Sequence, residues 1–476
     1  MVTSNFVFIF VLLFLLICLL NYTSRLNSLA SRVVGKMDTL NALLTEPEMN
    51  ISADTFFLYR AYVEHSRDGV SIRLLSINLC VDEGTAIEGV TGGQQLLLHG
   101  RPVEGTCPWI WAPGCLYNSY VFDGTLKNDM AISDKITLSR GDKQVTVPLS
   151  QVPRRTKGTL SFCVPPIYWF TDWTRLIFAL EMWKAQGVYR VLVYYHSSSQ
   201  YVRNVLLHYQ REGFVVIVPW PSLPHNSFVD PNLSLYRLAH SLAHNDCMLR
   251  LDTEFGAVID VDEIIVPRNG TLLSLVRERF EDESVGALSF SHRSLRLNPP
   301  LAAQNFSFET LDFSGVENAT EFELEGPSKV IFRTDAVDLQ ATHDVRKYRS
   351  TSMTLKVPAA DAVLLHHRYN HVTGEKPKRV NLLPSTTLVE DLHKALVNRT
   401  NSIFTEGADF HYNTQKVLGI CLKPWLSCFR WKIGTLYDQI TISTCCKEAA
   451  TLTTATTEEP TSHTLLSHIS RLYGSS

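Results

Sequence analysis

The sequence predicts an α/β protein whose mainly parallel central sheet follows a smaller β-rich region, and three observations predict it. Between Phe56 and about Gly158, turn residues break up short alternating runs such as Val70-Ser71-Ile72-Arg73-Leu74-Leu75-Ser76-Ile77. After Pro165-Pro166, helix and strand signals alternate, which implies parallel pairing through right-handed crossovers. The third is a short apolar run with an internal glycine, Phe255-Gly256-Ala257-Val258-Ile259, that ends in Asp260-Val261-Asp262-Glu263. Such a run reads as a buried central strand, although periodicity alone leaves a helix open.

The chain opens on fifteen consecutive apolar residues, Phe6 to Leu20. That is shorter than the roughly 20 of a standard membrane span and at the upper limit of a signal-peptide core. The first small-x-small triplet, Ser28-Leu29-Ala30, lies well downstream, which favours an uncleaved signal-anchor over residues 1–22. Met1 to Asn5 carry no Lys or Arg while Arg25, Arg32 and Lys36 follow, so the positive-inside rule does not support a cytoplasmic N-terminus. Orientation rests instead on the bulk of the chain. Glycosylation acceptors stand at Asn50, Asn232, Asn269, Asn305, Asn318 and Asn398, and nine cysteines beyond Cys18 show no C-x-x-C spacing. Both features suit an oxidising lumenal compartment with disulfides, whose connectivity the sequence leaves open.

Residues 23–55 read as a polar stem and residues 56–158 as the β-rich region. In the domain over 159–431, Trp173, Leu176, Ile177, Leu180 and Trp183 fall at helical spacing, with Thr171-Asp172 to cap the start and Gly187 to end it. Val188 to Tyr195 follows as a strand, then a helix on Val202, Val205, Leu206 and Tyr209 that stops at Gly213. Phe214 to Val218 is the next strand, and a third helix covers Ser234 to Leu249 before the strand that carries the acidic residues. Cys421, Cys428, Cys445 and Cys446 suggest a disulfide-held extension over 432–448, and the Thr- and Ser-rich 449–476 reads as a disordered tail. The net charge of -3 gives no sign of the basic patch a nucleic-acid partner would require.

Two carboxylates flanking one residue at the end of a strand give hard oxygen ligands for Mn²⁺ or Mg²⁺, completed by waters and nucleotide phosphates. An acidic turn that merely caps the next segment is the plain alternative.

Taken in order, Tyr168-Trp169 through Trp220, Asn245-Asp246-Cys247, Asp260-Val261-Asp262-Glu263, Lys329-Val330-Ile331-Phe332-Arg333, Ala341-Thr342-His343 and Leu365-His366-His367-Arg368 resemble glycosyltransferase family 92. The similarity runs from about Phe57 to about Trp431. The resemblance implies a GT-A-like nucleotide-sugar-binding domain in a single-pass type II membrane protein of the Golgi or another secretory-pathway membrane, with its catalytic domain lumenal. Many members come from nematodes, and characterised relatives act as β-galactosyltransferases. An inverting transfer from UDP-galactose to a glycan acceptor, N-glycans included, is therefore implied.

Within that chemistry, Asp262 is expected to hold the cation, and Asp260 to contact the cation or the ribose. His366 matches the family's His-x-Arg element and is expected to complete the metal shell or meet the diphosphate, with Arg368 pairing phosphate oxygens. Lys329, Arg333 and His343 lie in one segment that would line the diphosphate pocket, against the alternative of a solvated basic face. The general base must be an Asp or Glu within hydrogen-bond reach of the acceptor hydroxyl, and Glu263, Glu325 and Asp344 are the candidates. Glu263 has the further option of only positioning Asp262. The loop after Tyr195 is a candidate contact for uracil, with Ser198 or Tyr195 facing the base. An inactive family member that binds glycans or nucleotide sugars, or a secreted β-rich protein with a structural Ca²⁺ site, are the competing readings.

Overall fold

The computed structural model describes residues 56–66, 69–80, 86–110, 112, 114–126, 132–141, 143–168, 170–224, 231–296, 308–310, 320–322, 328–367, 378–379 and 386–404. The expected signal-anchor, stem, cysteine-containing extension and tail lie outside them, as do Glu325 and Arg368. Among the described residues, no helix is long and apolar enough to cross a membrane. The chain divides into a unit ending at Phe57 and a compact unit from Leu58 onward, and the second is described below.

The β-rich region is a closed seven-stranded barrel. Its strands are β1 (Phe56–Ser66), β2 (Gly69–Leu79), β3 (Ala86–Thr91), β4 (Gln94–Pro102), β5 (Tyr117–Leu126), β6 (Lys135–Arg140) and β7 (Lys143–Gln151), in the order β1-β2-β5-β4-β3-β6-β7. Closure is by parallel pairing of β1 with β7, which removes the open edges that a flat sheet would expose. Alternation and register put Ile72, Leu74, Leu98, Phe122 and Ile136 on one face, all buried. The Cys80–Cys107 disulfide pins the long β4–β5 loop.

Next come β8 (Thr156–Ile167), α1 (Trp173–Ala185), β9 (Arg190–Tyr195), α2 (Gln200–Arg211), β10 (Val215–Pro219), α3 (His240–Arg250) and β11 (Thr253–Val258). The chain continues through β12 (Glu263–Pro267), α4 (Leu272–Arg279), β13 (Val285–Phe290), β14 (His292–Arg296), β15 (Thr320–Phe322), β16 (Val330–Arg333), β17 (Val337–Gln340), β18 (Val345–Tyr348), β19 (Met353–Val357), β20 (Ala362–His367), β21 (Lys378–Arg379) and α5 (Thr386–Ile403). The main sheet has the order β10-β9-β8-β11-β16-β13-β19. Strands β10, β9, β8 and β11 are mutually parallel, β16 is antiparallel to both β11 and β13, and the sheet is therefore mixed. A second sheet, β12-β20-β14-β15-β21, starts immediately after the acidic turn. Strand β8 spans the expected boundary between the β-rich and α/β regions.

The local signals act as their chemistry requires. The Asp172 carboxylate accepts from the Arg175 N–H at 3.0 Å to cap α1, and Gly187 takes φ +85° just beyond its end. Helix α1 is buried on nearly every face and α2 on one, through Val202, Val205, Leu206 and Tyr209. Gly256 is required in β11 by close approach, because a Cβ there would stand 2.5 Å from Leu251 Cδ1.

One element departs from expectation. The third helix begins at His240, not Ser234, because Arg237, Leu238 and Ala239 take left-handed φ of 44°, 52° and 58°. Non-glycine residues in that region cost on the order of 1–3 kcal/mol each and persist where surrounding contacts impose them. Here the Trp220 indole N–H donates to the Leu238 carbonyl at 2.8 Å.

Candidate functional site

The parallel strands β8, β9 and β11 end on one edge of the main sheet, the edge where open α/β sheets bind ligands. Asp260, Val261 and Asp262 form the turn off β11 at that edge, and Glu263 opens β12. Because β16 runs antiparallel to β11, Lys329 at the start of β16 lies against the same turn. Its ammonium stands 3.1 Å from Asp260 Oδ2 and 3.3 Å from Glu263 Oε2. The Lys329 side chain is 2% exposed, so it is no solvated basic face. Glu263 Oε2 also accepts from the Asp260 backbone N–H at 3.1 Å. One buried carboxylate thus fixes both the ammonium and the backbone of the turn.

Asp262 turns the other way. His366 lies in β20, directly opposite Glu263 in the antiparallel β12–β20 ladder, which places both side chains on one face. His366 Nε2 lies 3.1 Å from Asp262 Oδ2, and His366 Nδ1 lies 3.0 Å from His292 Nε2 on β14. In the tautomer whose Nε2–H donates to the carboxylate, His366 Nδ1 accepts from the His292 Nε2–H, so two histidines and Asp262 form one chain. Arg175, on the first turn of α1, adds a 3.6 Å contact from Nη1 to Asp262 Oδ2, while its Nε pairs with Asp172 Oδ2 at 3.0 Å.

These contacts set the charges. Burial alone would raise the Asp260 carboxyl, but the Lys329 ammonium overrides it and holds Asp260 well below the usual carboxylate range. Asp262 is likewise lowered, with burial opposed by the His366 hydrogen bond and by Arg175. Burial pushes Glu263 up to about 7, against the pull of Lys329 and with the push of Asp260 and Asp262. Lys329 stays charged despite its burial because both carboxylates face it. Asp260 and Asp262 keep 39% and 23% of their side-chain surface, whereas Glu263 keeps 4%.

The remaining expected residues divide. The exposed His343 donates from Nδ1 to the Ser328 carbonyl at 3.1 Å, beside Lys329, and burial together with the ammonium lowers its pKa. Asp344 follows it in sequence on the exposed β17–β18 turn. Ser198 sits on the same sheet edge two strands away, about 10 Å at ordinary strand spacing. Its hydroxyl is 3.1 Å from the Tyr195 hydroxyl and donates to the Ser199 carbonyl. Arg333 stands apart from the other expected residues. It pairs with Phe255 in the β11–β16 ladder, four strand residues or about 13 Å from Lys329. There it binds Glu254 at 3.2 Å and packs over Phe280, away from the acidic turn.

Sequence reasoning missed His292, Arg175, Asp172 and His244. His244 on α3 is 1% exposed, and burial holds its pKa down to about 3. Among the described residues neither of its ring nitrogens has a hydrogen-bond partner. Asp172 carried a legible cap signal, but the others are separated from the acidic turn in sequence and follow no spacing rule. Among the described residues, no group of three or more His, Cys, Asp and Glu is gathered as a preformed metal cluster. The closest approach to one is the Asp262–His366 pair, with Asp260 held aside by Lys329.

A family model described as glycosyltransferase family 92 matches residues 158–415. Curated glycosyltransferase family 92 proteins of Caenorhabditis elegans are similar over shorter stretches. One is 25% identical over 182 residues, covering 37% of this chain and 36% of that protein. Another is 25% identical over 166 residues, covering 34% and 31%. The chain thus spans well under half the length of the relatives it matches. A crystal structure of S. aureus TarS 1-349 aligns over 61% of this chain and 80% of its own at 14% identity, with a TM-score of 0.23 that is too low to establish a shared fold.

Proposed function

The chain belongs to glycosyltransferase family 92, and from that premise we propose that it transfers galactose from UDP-galactose to a glycan acceptor, N-glycans included, with inversion and with a divalent cation, Mn²⁺ or Mg²⁺, as cofactor. The observation that carries this reading is the acidic turn at the carboxyl end of β11, where Asp262 and His366 meet at 3.1 Å beside the buried Lys329. The donor set fits such a cation, because carboxylate oxygens with one imidazole nitrogen are ligands Mn²⁺ accepts, and waters and a diphosphate complete its shell. Asp262 and His366 would hold it, with Asp260 as the further carboxylate, and when bound it supplies positive charge to the departing diphosphate.

The other roles fall to the chain itself. Lys329 keeps a permanent positive charge next to the turn and stops Asp260 and Glu263 from repelling each other. Glu263, almost fully buried, positions the turn by accepting from the Asp260 N–H. With the cation bound, the His366 Nδ1–H would donate to His292 Nε2, which orients the ring and leaves the Nε2 lone pair facing the Asp262 side. His343, its Nδ1 held by the Ser328 carbonyl, lines the pocket beside Lys329 as a neutral imidazole. Of the base candidates, exposed Asp344 is the described one that an acceptor hydroxyl can reach. A GT-A-like arrangement of the main sheet and a lumenal, type II Golgi setting complete the reading, and the Cys80–Cys107 and Cys163–Cys247 disulfides support an oxidising compartment.

The test is calorimetric titration of the full-length protein with UDP, with and without Mn²⁺, alongside galactose transfer by wild type and Asp262→Asn. Mn²⁺-dependent UDP binding and a loss of transfer of at least about 100-fold in the folded variant are expected. Wild-type turnover by the variant would remove Asp262 from the cation site. No affinity for UDP under either condition would overturn the reading.

A further inference from the structure

The β4–β5 loop of the barrel reaches across to the turn that precedes α3. Cys80–Cys107 pins one end of this loop, the Ala112 N–H donates to the Trp109 carbonyl at 2.8 Å, and the Leu116 N–H donates to Ser234 Oγ at 2.9 Å. The loop therefore holds Trp109 against Tyr236, edge to face, with ring centroids 5.3 Å apart. Aromatic contacts continue inward from Tyr236 to His240 at 5.0 Å and from His240 to His244 at 5.0 Å. Ile110 is 70% exposed and Leu116 is 36% exposed on the same rim. The exposed Arg237 stands with its guanidinium 5.4 Å from the Tyr236 ring centre.

Two features tie this rim to the acidic turn. Among the described residues, Arg237, Leu238 and Ala239 are the non-glycine positions with left-handed φ, and strained backbone of that kind concentrates at ligand sites. Geometrically, His240, in ring contact with Tyr236, has its Nε2 3.0 Å from Thr342 Oγ1, and the next residue, His343, bonds the Ser328 carbonyl beside Lys329. An aromatic face beside a guanidinium fork suits a sugar ring, which offers axial C–H bonds on one side and hydroxyls around its edge.

We propose that Trp109 and Tyr236 form the stacking platform for the acceptor saccharide, with Arg237 donating to a ring hydroxyl, so that the barrel supplies the acceptor side of the site. A pyranose would lie with its C–H face on the Trp109 indole and point a hydroxyl toward the acidic turn. The assignment of this saccharide as the acceptor rests on the glycosyltransferase reading; its binding at Trp109 does not.

The test uses the full-length protein and an array of N-glycan and O-glycan core oligosaccharides, with binding of the best probe followed by saturation-transfer NMR and titration. Trp109→Ala is expected to weaken glycan binding about tenfold, in line with the loss of one aromatic contact, and Trp109→Phe less, with UDP affinity unchanged in both. Unchanged glycan affinity in Trp109→Ala, or an equal loss of UDP affinity, overturns the platform. Trp109-dependent glycan binding without any UDP affinity sinks the transferase reading and leaves the platform standing, whereas Mn²⁺-dependent UDP binding with glycan binding indifferent to Trp109 sinks the platform alone.

Discussion

Lys329 is a cation that solvent cannot screen, and two carboxylates depend on it. Replacing it by Met leaves Asp260 and Glu263 facing each other with no counter-charge. Removing one partner of a buried ion pair costs about 3–5 kcal/mol, and the partial exposure of Asp260 puts Lys329→Met near the lower end. Urea unfolding of the variant measures this, and adding Asp260→Asn should recover part of the loss. Glu104 makes a pH prediction. Its side chain is buried, Oε1 has no hydrogen-bond partner among the described residues, and burial pushes its pKa up to about 7. The folded state therefore binds this proton more tightly than the unfolded chain, whose carboxyl titrates near 4.5. Stability should fall as pH rises from about 4.5 to 7, by roughly 1.4 kcal/mol per unit of the difference. Thermal melts of wild type and Glu104→Gln should converge near pH 4.5 and separate by pH 8, with the variant the more stable; parallel curves would refute the assignment. Asp260 and Asp262 were legible at this scale because they are sequence neighbours at a strand end. His292 and Arg175 were not, since they reach the turn only through the pairing of β14 with β20 and the packing of α1.

Among the elements, α1, α2 and β9 to β11 were readable because burial on a helix stripe or in a strand leaves a periodic trace. The start of α3 was not, since its preceding turn is held left-handed by a contact from Trp220, eighteen residues away. Helix α3 is tied to β8 by the Cys163–Cys247 disulfide, whose halves lie 84 residues apart. In the chain-entropy picture, closing a loop of that size stabilises by about 4 kcal/mol. The Cys163→Ala/Cys247→Ala variant should lower the urea midpoint accordingly, and an unchanged midpoint would show that packing alone holds α3 to β8. Arg333 illustrates the opposite limit. It belongs to the same short motif as Lys329, yet four residues of extended chain carry it to the other end of β16.

For the whole molecule, the junction between barrel and α/β layer is a buried polar one. Asp246 on α3, fully buried, accepts from the Tyr62 hydroxyl of β1 at 2.5 Å, from the Tyr194 hydroxyl of β9 at 2.7 Å and from Arg250 Nε at 2.9 Å. Arg73 and Arg101 of the barrel likewise bind Asp338 of β17. Hydrogen bonds to a charged group contribute about 1.5–3 kcal/mol, so Tyr62→Phe and Tyr194→Phe should each cost that much. Since both end on one carboxylate, the double variant should depart from additivity by about 0.5 kcal/mol or more, and strict additivity would mean that the two tyrosines act independently. The sequence by itself determined a β-rich region followed by an alternating α/β domain, and an acidic turn at the end of a buried strand, because these are written in periodicities of two and 3.6 and in adjacent residues. Only the tertiary structure decided that the barrel closes, that β16 runs antiparallel, and that Lys329, His366, His292 and Arg175 converge on that turn. Strand direction and register are set by packing between segments tens of residues apart, and no local pattern encodes them.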